Sequence, residues 1–252
     1  MTPTRPDASR YARQLALPGF GNAAQEKLAK SRVLVVGLGG LGSPAANYLA
    51  AAGLGHLTVN DFDIVQQSNL HRQTLYDETR VGERKTEAAA DRLRLVSHNT
   101  RLQVVDARLD EQDMATLVSE VDLVLDCTDN FASREGINAA CVRHSKTLVS
   151  GAAAGMDGQV SVFPCDGQGP CYQCYLDGIG DNLGDCQGNG ILGPVAGVIG
   201  SMMAIEGIKV LVPLGNSLAG RVAIFDGLNG EWRTLKLQRN PACSTCGHRS
   251  AE

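Results

Sequence analysis

The sequence predicts an α/β fold: a doubly wound, mostly parallel sheet with antiparallel strands added at its C-terminal side and a structural zinc. Three observations carry that expectation. Arg32-Val-Leu-Val-Val36 and Asp122-Leu-Val-Leu-Asp126 are unbroken apolar runs, as in parallel strands covered on both faces. Strand-like and helix-like segments then alternate, which is the mark of crossover connections and, with the glycine loop after the first run, of a Rossmann-like sheet. Two Cys-x-x-Cys pairs, Cys171/Cys174 and Cys243/Cys246, lie in the C-terminal part of the chain.

Taken in order, residues 10–30 read as helical, with Leu15, Leu17 and Leu28 among polar neighbours. The first strand, 32–36, runs into Gly37-Leu-Gly-Gly-Leu-Gly42 and a helix with Ser43 as N-cap and Pro44 at its first position. Gly53-Leu-Gly55 stops that helix, and 56–60 is the second strand, ending at Asp61 and Asp63. Residues 83–96 read as a helix, 101–105 as a strand, 114–120 as a short helix and 122–126 as a strand. Cys127-Thr-Asp-Asn130 follows, then a helix through His144 and strands at 147–151 and 159–163. A Gly- and Asp-rich loop, a Gly-spaced helix near 195–212 and two hairpin-like strands, 221–225 and 232–237, complete the chain. Residues 1–252 are read as one domain: a helical segment at 10–30, a nucleotide-binding core at 31–165, and a crossover loop, helix, antiparallel strands and zinc site at 166–252.

Composition narrows the function classes. A chain of 252 residues can bury a full core without disulfides. A net charge of −4 does not advertise a nucleic-acid surface. The N-terminus lacks an apolar signal core, and the apolar stretch 194–205 stops at Glu206, too short to span a bilayer. The expectation is a soluble cytoplasmic protein with no membrane partner, whose eight cysteines are thiols and metal ligands.

Gly37, Gly39 and Gly42 fit G-x-G-x-x-G between a strand and a helix, with Asp61 at the end of the next strand. Glycines there let a phosphate approach the N–H groups of a helix N-terminus, and the acid can accept from ribose hydroxyls. The motif does not separate NAD from ATP. The cations that follow favour a triphosphate: Arg72, within Ser68-Asn-Leu-His-Arg-Gln73, offers a forked donor, Lys85 a point charge, and Asn69 a group to orient one of them. Asp129 and Asn130 lie at the C-terminal end of a strand, the edge where such sheets bind ligands. Asp129 suits Mg²⁺ shared with phosphates, and either residue also suits a helix N-cap.

Four thiolates in two pairs fit a closed tetrahedral zinc site, whereas a redox function needs only one pair. Cys127, Cys141 and Cys165 read as small core residues. Cys186, in the Gly- and Asp-rich loop, is a candidate for a covalent bond with a partner, although Asp185 beside it disfavours the thiolate.

Arg10-Tyr-Ala-Arg-Gln14, the glycine loop, Asp61-Phe-Asp63, the 68–73 segment, Lys85, Asp126-Cys-Thr-Asp-Asn130 and both cysteine pairs, in this order, resemble the MoeB/ThiF/HesA family. These enzymes are bacterial relatives of ubiquitin-activating enzymes, and the likeness runs from about residue 10 to Gly247. Residues 148–153, 158–163 and 239–246 look closer to molybdopterin-pathway members than to thiamine-pathway ones. Ser201-Met-Met-Ala and Ser97-His-Asn depart from the usual Gln-Ala and Asn-Pro, outside the proposed chemistry.

The resemblance implies an adenylyltransferase: ATP-dependent adenylation of the C-terminal glycine of a MoaD-like, ubiquitin-like sulfur carrier with a Gly-Gly tail, releasing pyrophosphate. A ThiS-like carrier is the alternative. It places Gly39, Gly40, Asp61, Ser68, Asn69, Leu70, His71, Arg72, Lys85, Asp129 and Asn130 about ATP and Mg²⁺. It implies zinc on Cys171, Cys174, Cys243 and Cys246, and a homodimer in which Arg13 reaches the neighbour's phosphates. Cys186 matches a loop cysteine that bonds the carrier in thiamine-pathway members, and a sulfur-donor protein is a further partner the family allows.

The chemistry this implies is positional. A terminal carboxylate, with a pKa of about 3.5, is already ionised and needs no general base. Bringing it against a phosphate costs roughly 4 kcal/mol at about 4 Å and an effective dielectric of about 20, which Arg72, Lys85, Arg13 and a cation on Asp129 would offset. The rivals are an NAD-dependent oxidoreductase, which leaves the zinc pairs unexplained, a relative that dehydrates modified tRNA, and a carrier-binding scaffold without catalysis.

Overall fold

The structure, a computed structural model, describes residues 9–179, 190–212 and 214–247. Cys186 lies outside the described residues.

The strands are β1 (Arg32–Val36), β2 (His56–Asn60), β3 (Arg101–Val105), β4 (Leu123–Asp126), β5 (Thr147–Ala154), β6 (Asp157–Phe163), β7 (Arg221–Asp226) and β8 (Glu231–Lys236). They form one eight-stranded sheet in the order β3-β2-β1-β4-β5-β6-β7-β8. Pairs from β3 to β5 are parallel, and the three ladders from β5 to β8 are antiparallel. The antiparallel part is larger than the expected final hairpin, because β6 turns back on β5 through Gly155.

The helices are α1 (Ala12–Leu15), α2 (Gly21–Leu28), α3 (Gly42–Ala51), α4 (Lys85–Val96), α5 (Glu111–Ser119), α6 (Phe131–His144), α7 (Tyr172–Ile179) and α8 (Gly193–Leu211). They cover both faces. Along β1, Val33 and Val35 join the core under α2, α3, α4 and α8, while Leu34 and Val36 join the core under α5, α6 and α7. Successive strand residues point to opposite faces, so both cores demand apolar residues and the run reads as continuous.

The helices depart from the sequence expectation at several points. Residues 10–30 form two short helices rather than one, because 16–20 is a turn: Gly19 takes positive φ there, and so does Gly21 where α2 begins. Ser43 does not cap α3. It sits inside the first turn with its hydroxyl turned inward to Leu38 O (3.2 Å), and the cap position is Leu41, with no side-chain cap. The helix expected at 114–120 begins a turn earlier, where Asp110 accepts from Asp113 N (2.8 Å), and the one expected from 83 begins at Lys85. Helix α7 has no counterpart in the sequence expectation.

α8 is the one helix among the described residues long and apolar enough to cross a membrane by length and composition. It runs past Glu206 and packs on the sheet. The Glu206 side chain is buried, accepting from Leu218 N and Lys209 Nζ, both at 2.6 Å.

Strand order reverses at β1, so the connections from β1 and β4 leave in opposite directions and open a crevice at their C-terminal ends. Gly37 (φ +88°) and Gly42 make that crevice possible. A Cβ on Gly42 would lie 1.9 Å from Gly37 O, and one on Gly37 would lie 2.9 Å from Cys127 O. Gly42→Ala should therefore cost at least about 3 kcal/mol, read as a melting temperature lower by roughly 6–12 °C. An unshifted melting curve would show that the loop relaxes freely.

Candidate active site

The crevice is a cleft of about 590 Å³, within the range of small-molecule sites. Its floor is the glycine loop. Leu38 is held from several sides: its N–H donates to Asp61 Oδ2 (2.8 Å), and its carbonyl accepts from the hydroxyls of Tyr76 (3.0 Å) and Ser43 (3.2 Å). Burial, reinforced by the negative charges of Asp61 and Asp63, raises the Tyr76 pKa far above the usual phenol range, so Tyr76 stays a donor. Among the described residues, the N–H groups of Gly39, Gly40, Leu41 and Gly42 meet no protein acceptor. An uncapped helix N-terminus with free N–H groups is an anion site.

Asp61 differs from the sequence expectation. Besides Leu38 N–H, it accepts from Asp63 N (2.9 Å), so its first role is to fix the loop, and only its remaining lone pairs are open to a ribose. Lys85, 5% exposed at the start of α4, lies 2.9 Å from Asp63 and 3.8 Å from Asp61. Its charge is thus balanced within the chain while it lines the cleft.

Gly39, Gly40, Asp61, Arg72, Lys85, Asp129 and Asn130 meet in this cleft. Ser68, Asn69, Leu70 and His71 form a turn beside it and do not line it. Leu70 packs against the core, the Ser68 carbonyl accepts from Arg72 (3.1 Å), and the His71 ring meets the same Arg72 nitrogen at 2.8 Å. Asn69 shapes the turn through its carbonyl, which accepts from Arg72 N and Gln73 N, both at 3.0 Å. Arg13, on α1, does not line the cleft.

At the opposite wall, Asn130 caps α6 by accepting from Ser133 N (2.9 Å). Asp129 is left exposed, and among the described residues its side chain meets only the Asn130 amide, at 3.4 Å. It thus keeps carboxylate oxygens open to a Mg²⁺ ion. Cys127 also lines the cleft, but burial pushes its thiol well above the ordinary range, which excludes a ready thiolate.

Sequence reasoning missed Arg108 and Arg134, both in the cleft lining. Arg108 lies 4.0 Å over the Phe62 ring, a cation–π contact. It follows β3 at the ligand-binding edge, and that position was the available signal.

Away from the cleft, the sulfurs of Cys171, Cys174, Cys243 and Cys246 all lie within 4.8 Å of one another and are buried. Cys174–Cys246 (3.4 Å) and Cys171–Cys243 (3.8 Å) approach more closely than Cys171–Cys174 (4.0 Å). The two pairs therefore interleave as one cluster. Zinc–sulfur bonds of about 2.3 Å in a tetrahedron require sulfurs about 3.8 Å apart, so the four fit zinc. Asn138 Nδ2 (3.6 Å from Cys171) and Asn240 N–H (3.4 Å from Cys174) donate to the sulfurs, as donors around thiolate ligands do.

The ThiF family pattern matches residues 11–245. The chain is 47% identical over 238 residues to the molybdopterin-synthase adenylyltransferase of Escherichia coli strain K12, covering 94% of this chain and 96% of that protein. It is 45% identical to the adenylyltransferase and sulfurtransferase MOCS3 of Drosophila willistoni, covering 96% of this chain and 54% of that one. E. coli MccB, solved with ATP, shares the fold with a TM-score of 0.80 and 23% identity, covering 97% of this chain and 76% of MccB. The chain belongs to the ThiF family and is an adenylyltransferase.

Proposed function

We propose that this chain transfers the adenylyl group of ATP to the C-terminal glycine of a ubiquitin-like, MoaD-like sulfur carrier in molybdopterin cofactor formation. One observation carries the reading: free glycine-loop N–H groups, buried Lys85, Arg72 and the open carboxylate of Asp129 face one cleft. The similarity to molybdopterin-synthase adenylyltransferases supports the choice of carrier.

In this reading a carrier carboxylate oxygen bonds to the α-phosphorus of ATP, the bond to the bridging oxygen breaks, and pyrophosphate leaves. The glycine-loop N–H groups hold phosphate oxygens, and Arg72 and Lys85 lower the repulsion between the two anions. A Mg²⁺ ion held by Asp129 would supply further charge neutralisation. The resulting acyl adenylate is open to a sulfur-donor protein.

Arg13 acts in trans in this scheme, which makes the working unit a homodimer. Gln14 and Gln25 tie α1 and α2 to Ala52 O, at the C-terminal end of α3. A helix of ten residues puts that end about 15 Å from the glycine loop, too far for Arg13 to serve its own cleft.

The test is ATP–pyrophosphate exchange and the mass of the carrier after incubation with ATP. A MoaD-like carrier with an intact Gly-Gly tail should support exchange and gain one adenylyl group, and a carrier lacking its last glycine should do neither. Equal or better exchange with a ThiS-like carrier would move the reading to the thiamine pathway. No exchange with either would end it.

A further inference from the structure

The chain leaving β3 is pinned on both sides of Arg108. Asn60, buried at the end of β2, donates through Nδ2 to both Val105 O and Ala107 O, each at 2.9 Å. Asp106 accepts a forked pair of bonds from Arg84, Nε at 2.7 Å and Nη2 at 2.5 Å. Leu109 packs against the core under α5 and α6, and Asp110 caps α5. The Arg108 side chain, between these anchors, is exposed and makes no hydrogen bond or ion pair among the described residues. Its guanidinium lies instead over the exposed ring of Phe62, the carbon 4.0 Å from the ring centre. Phe62 itself is held between Asp61, which accepts from Leu38 N–H, and Asp63, which pairs with Lys85. Along the C-terminal edge of the sheet the glycine loop follows β1, Asp61 and Phe62 follow β2, and Arg108 follows β3. With neighbouring strands about 4.8 Å apart, β3 runs roughly 10 Å from β1. A nucleotide with its phosphates on the glycine loop and its ribose at Asp61 therefore carries its base toward Arg108. Leu109 and Met114, which also line the cleft, offer that base an apolar wall.

We propose that Arg108 binds the nucleobase, its guanidinium stacking on the base with the Phe62 ring behind it. The inference rests on the adenylation reading and extends it from the phosphates to the base. A guanidinium is flat and weakly hydrated, and it stacks on an aromatic face without needing a hydrogen-bond partner. Phe62 covers one face of this one, and both residues line the cleft, so the other face is the surface a flat ligand meets. The anchors at 105–107 and 109–110 hold the backbone in place before any ligand arrives, which spares the cost of ordering a loop on binding. Stacking depends on the plane of the group as well as its charge, so lysine is no substitute. The base is remote from the bond that breaks, so this contact is equally strong before and during the reaction. Such a contact lowers the ATP concentration needed without changing the rate at saturation.

The test is titration calorimetry of the full chain with MgATP and with magnesium tripolyphosphate, which has the phosphates and no base. The wild type should bind MgATP the more tightly of the two. Arg108→Ala should weaken MgATP about tenfold and leave tripolyphosphate binding unchanged. Arg108→Lys, which keeps the charge and loses the plane, should weaken MgATP as much as alanine does. Both variants alter an exposed side chain without hydrogen bonds, so both should melt with the wild type. In carrier-dependent exchange each should raise the KM for ATP by the same factor and leave kcat unchanged. Equal weakening of MgATP and tripolyphosphate would put Arg108 on the phosphates and overturn the proposal, as would full MgATP binding in Arg108→Lys. A wild type that holds MgATP no better than tripolyphosphate overturns the base contact and leaves adenylation standing. A wild type that binds neither defeats the adenylation reading and the base contact together.

Discussion

Replacing Asp129 by alanine is expected to lower carrier-dependent ATP–pyrophosphate exchange by at least about a hundredfold, with a melting temperature within about 2 °C of the wild type. Both halves follow from the geometry. The carboxylate is exposed in the cleft, and its one protein partner among the described residues is the Asn130 amide at 3.4 Å, so its removal takes away little that holds the fold. Asn130, not Asp129, caps α6, so the helix keeps its N-terminal bond. Asn130→Ala is the contrast: it should lose about 1 kcal/mol of stability and mix structural with catalytic loss. Near-normal exchange in Asp129→Ala would remove the carboxylate from the chemistry. The same variant tests the shared site. Mixed in equal amounts with Arg13→Ala, also inactive, it should restore about a quarter of wild-type activity, because half the dimers are mixed and each carries one intact site. No recovery in verified mixed dimers would place Arg13 outside the partner's cleft.

What the sequence disclosed and what it withheld differ for physical reasons. The parallel strands were legible because burial on both faces forces unbroken apolar runs, as in 32–36 and 122–126. The cysteine cluster was legible because two ligands per pair leave little choice of geometry. Ser43 misled because a serine before a proline reads as a cap, whereas this helix leaves its first N–H groups uncapped for a ligand. Leu70 lies within a polar motif yet packs into the core, and the turn it anchors is what presents Arg72. The partners of Asp61, Arg108 and Arg134 were hidden because each is a tertiary contact: Leu38 N–H, the Phe62 ring and Thr128 O. Local pattern carries no information about which side chains a sheet edge brings together.

Cys174→Ser should strip most of the zinc and lower the melting temperature by roughly 6–12 °C, the equivalent of about 3 kcal/mol in a chain of this size. Cys174 sits 3.4 Å from Cys246 and accepts the Asn240 N–H, so it joins α7 to the C-terminal segment twice over. Other contacts of the segment are weaker anchors: Asn240 Nδ2 to Asp177 (2.9 Å) is exposed, and Arg239 donates to Cys246 O (3.1 Å) within the segment itself. Burial pushes the Cys174 thiol up to about 11, so its thiolate is stable in this core only with a cation beside it. A serine hydroxyl cannot replace the fourth thiolate, and the remaining sulfurs would be left crowded, with no centre to hold them. The decisive comparison is the wild type after chelation, which should melt at the same reduced temperature as the variant. A variant that loses stability while keeping its metal would assign Cys174 to packing alone, and one that loses metal without losing stability would show that the C-terminal segment is held by something other than the cluster.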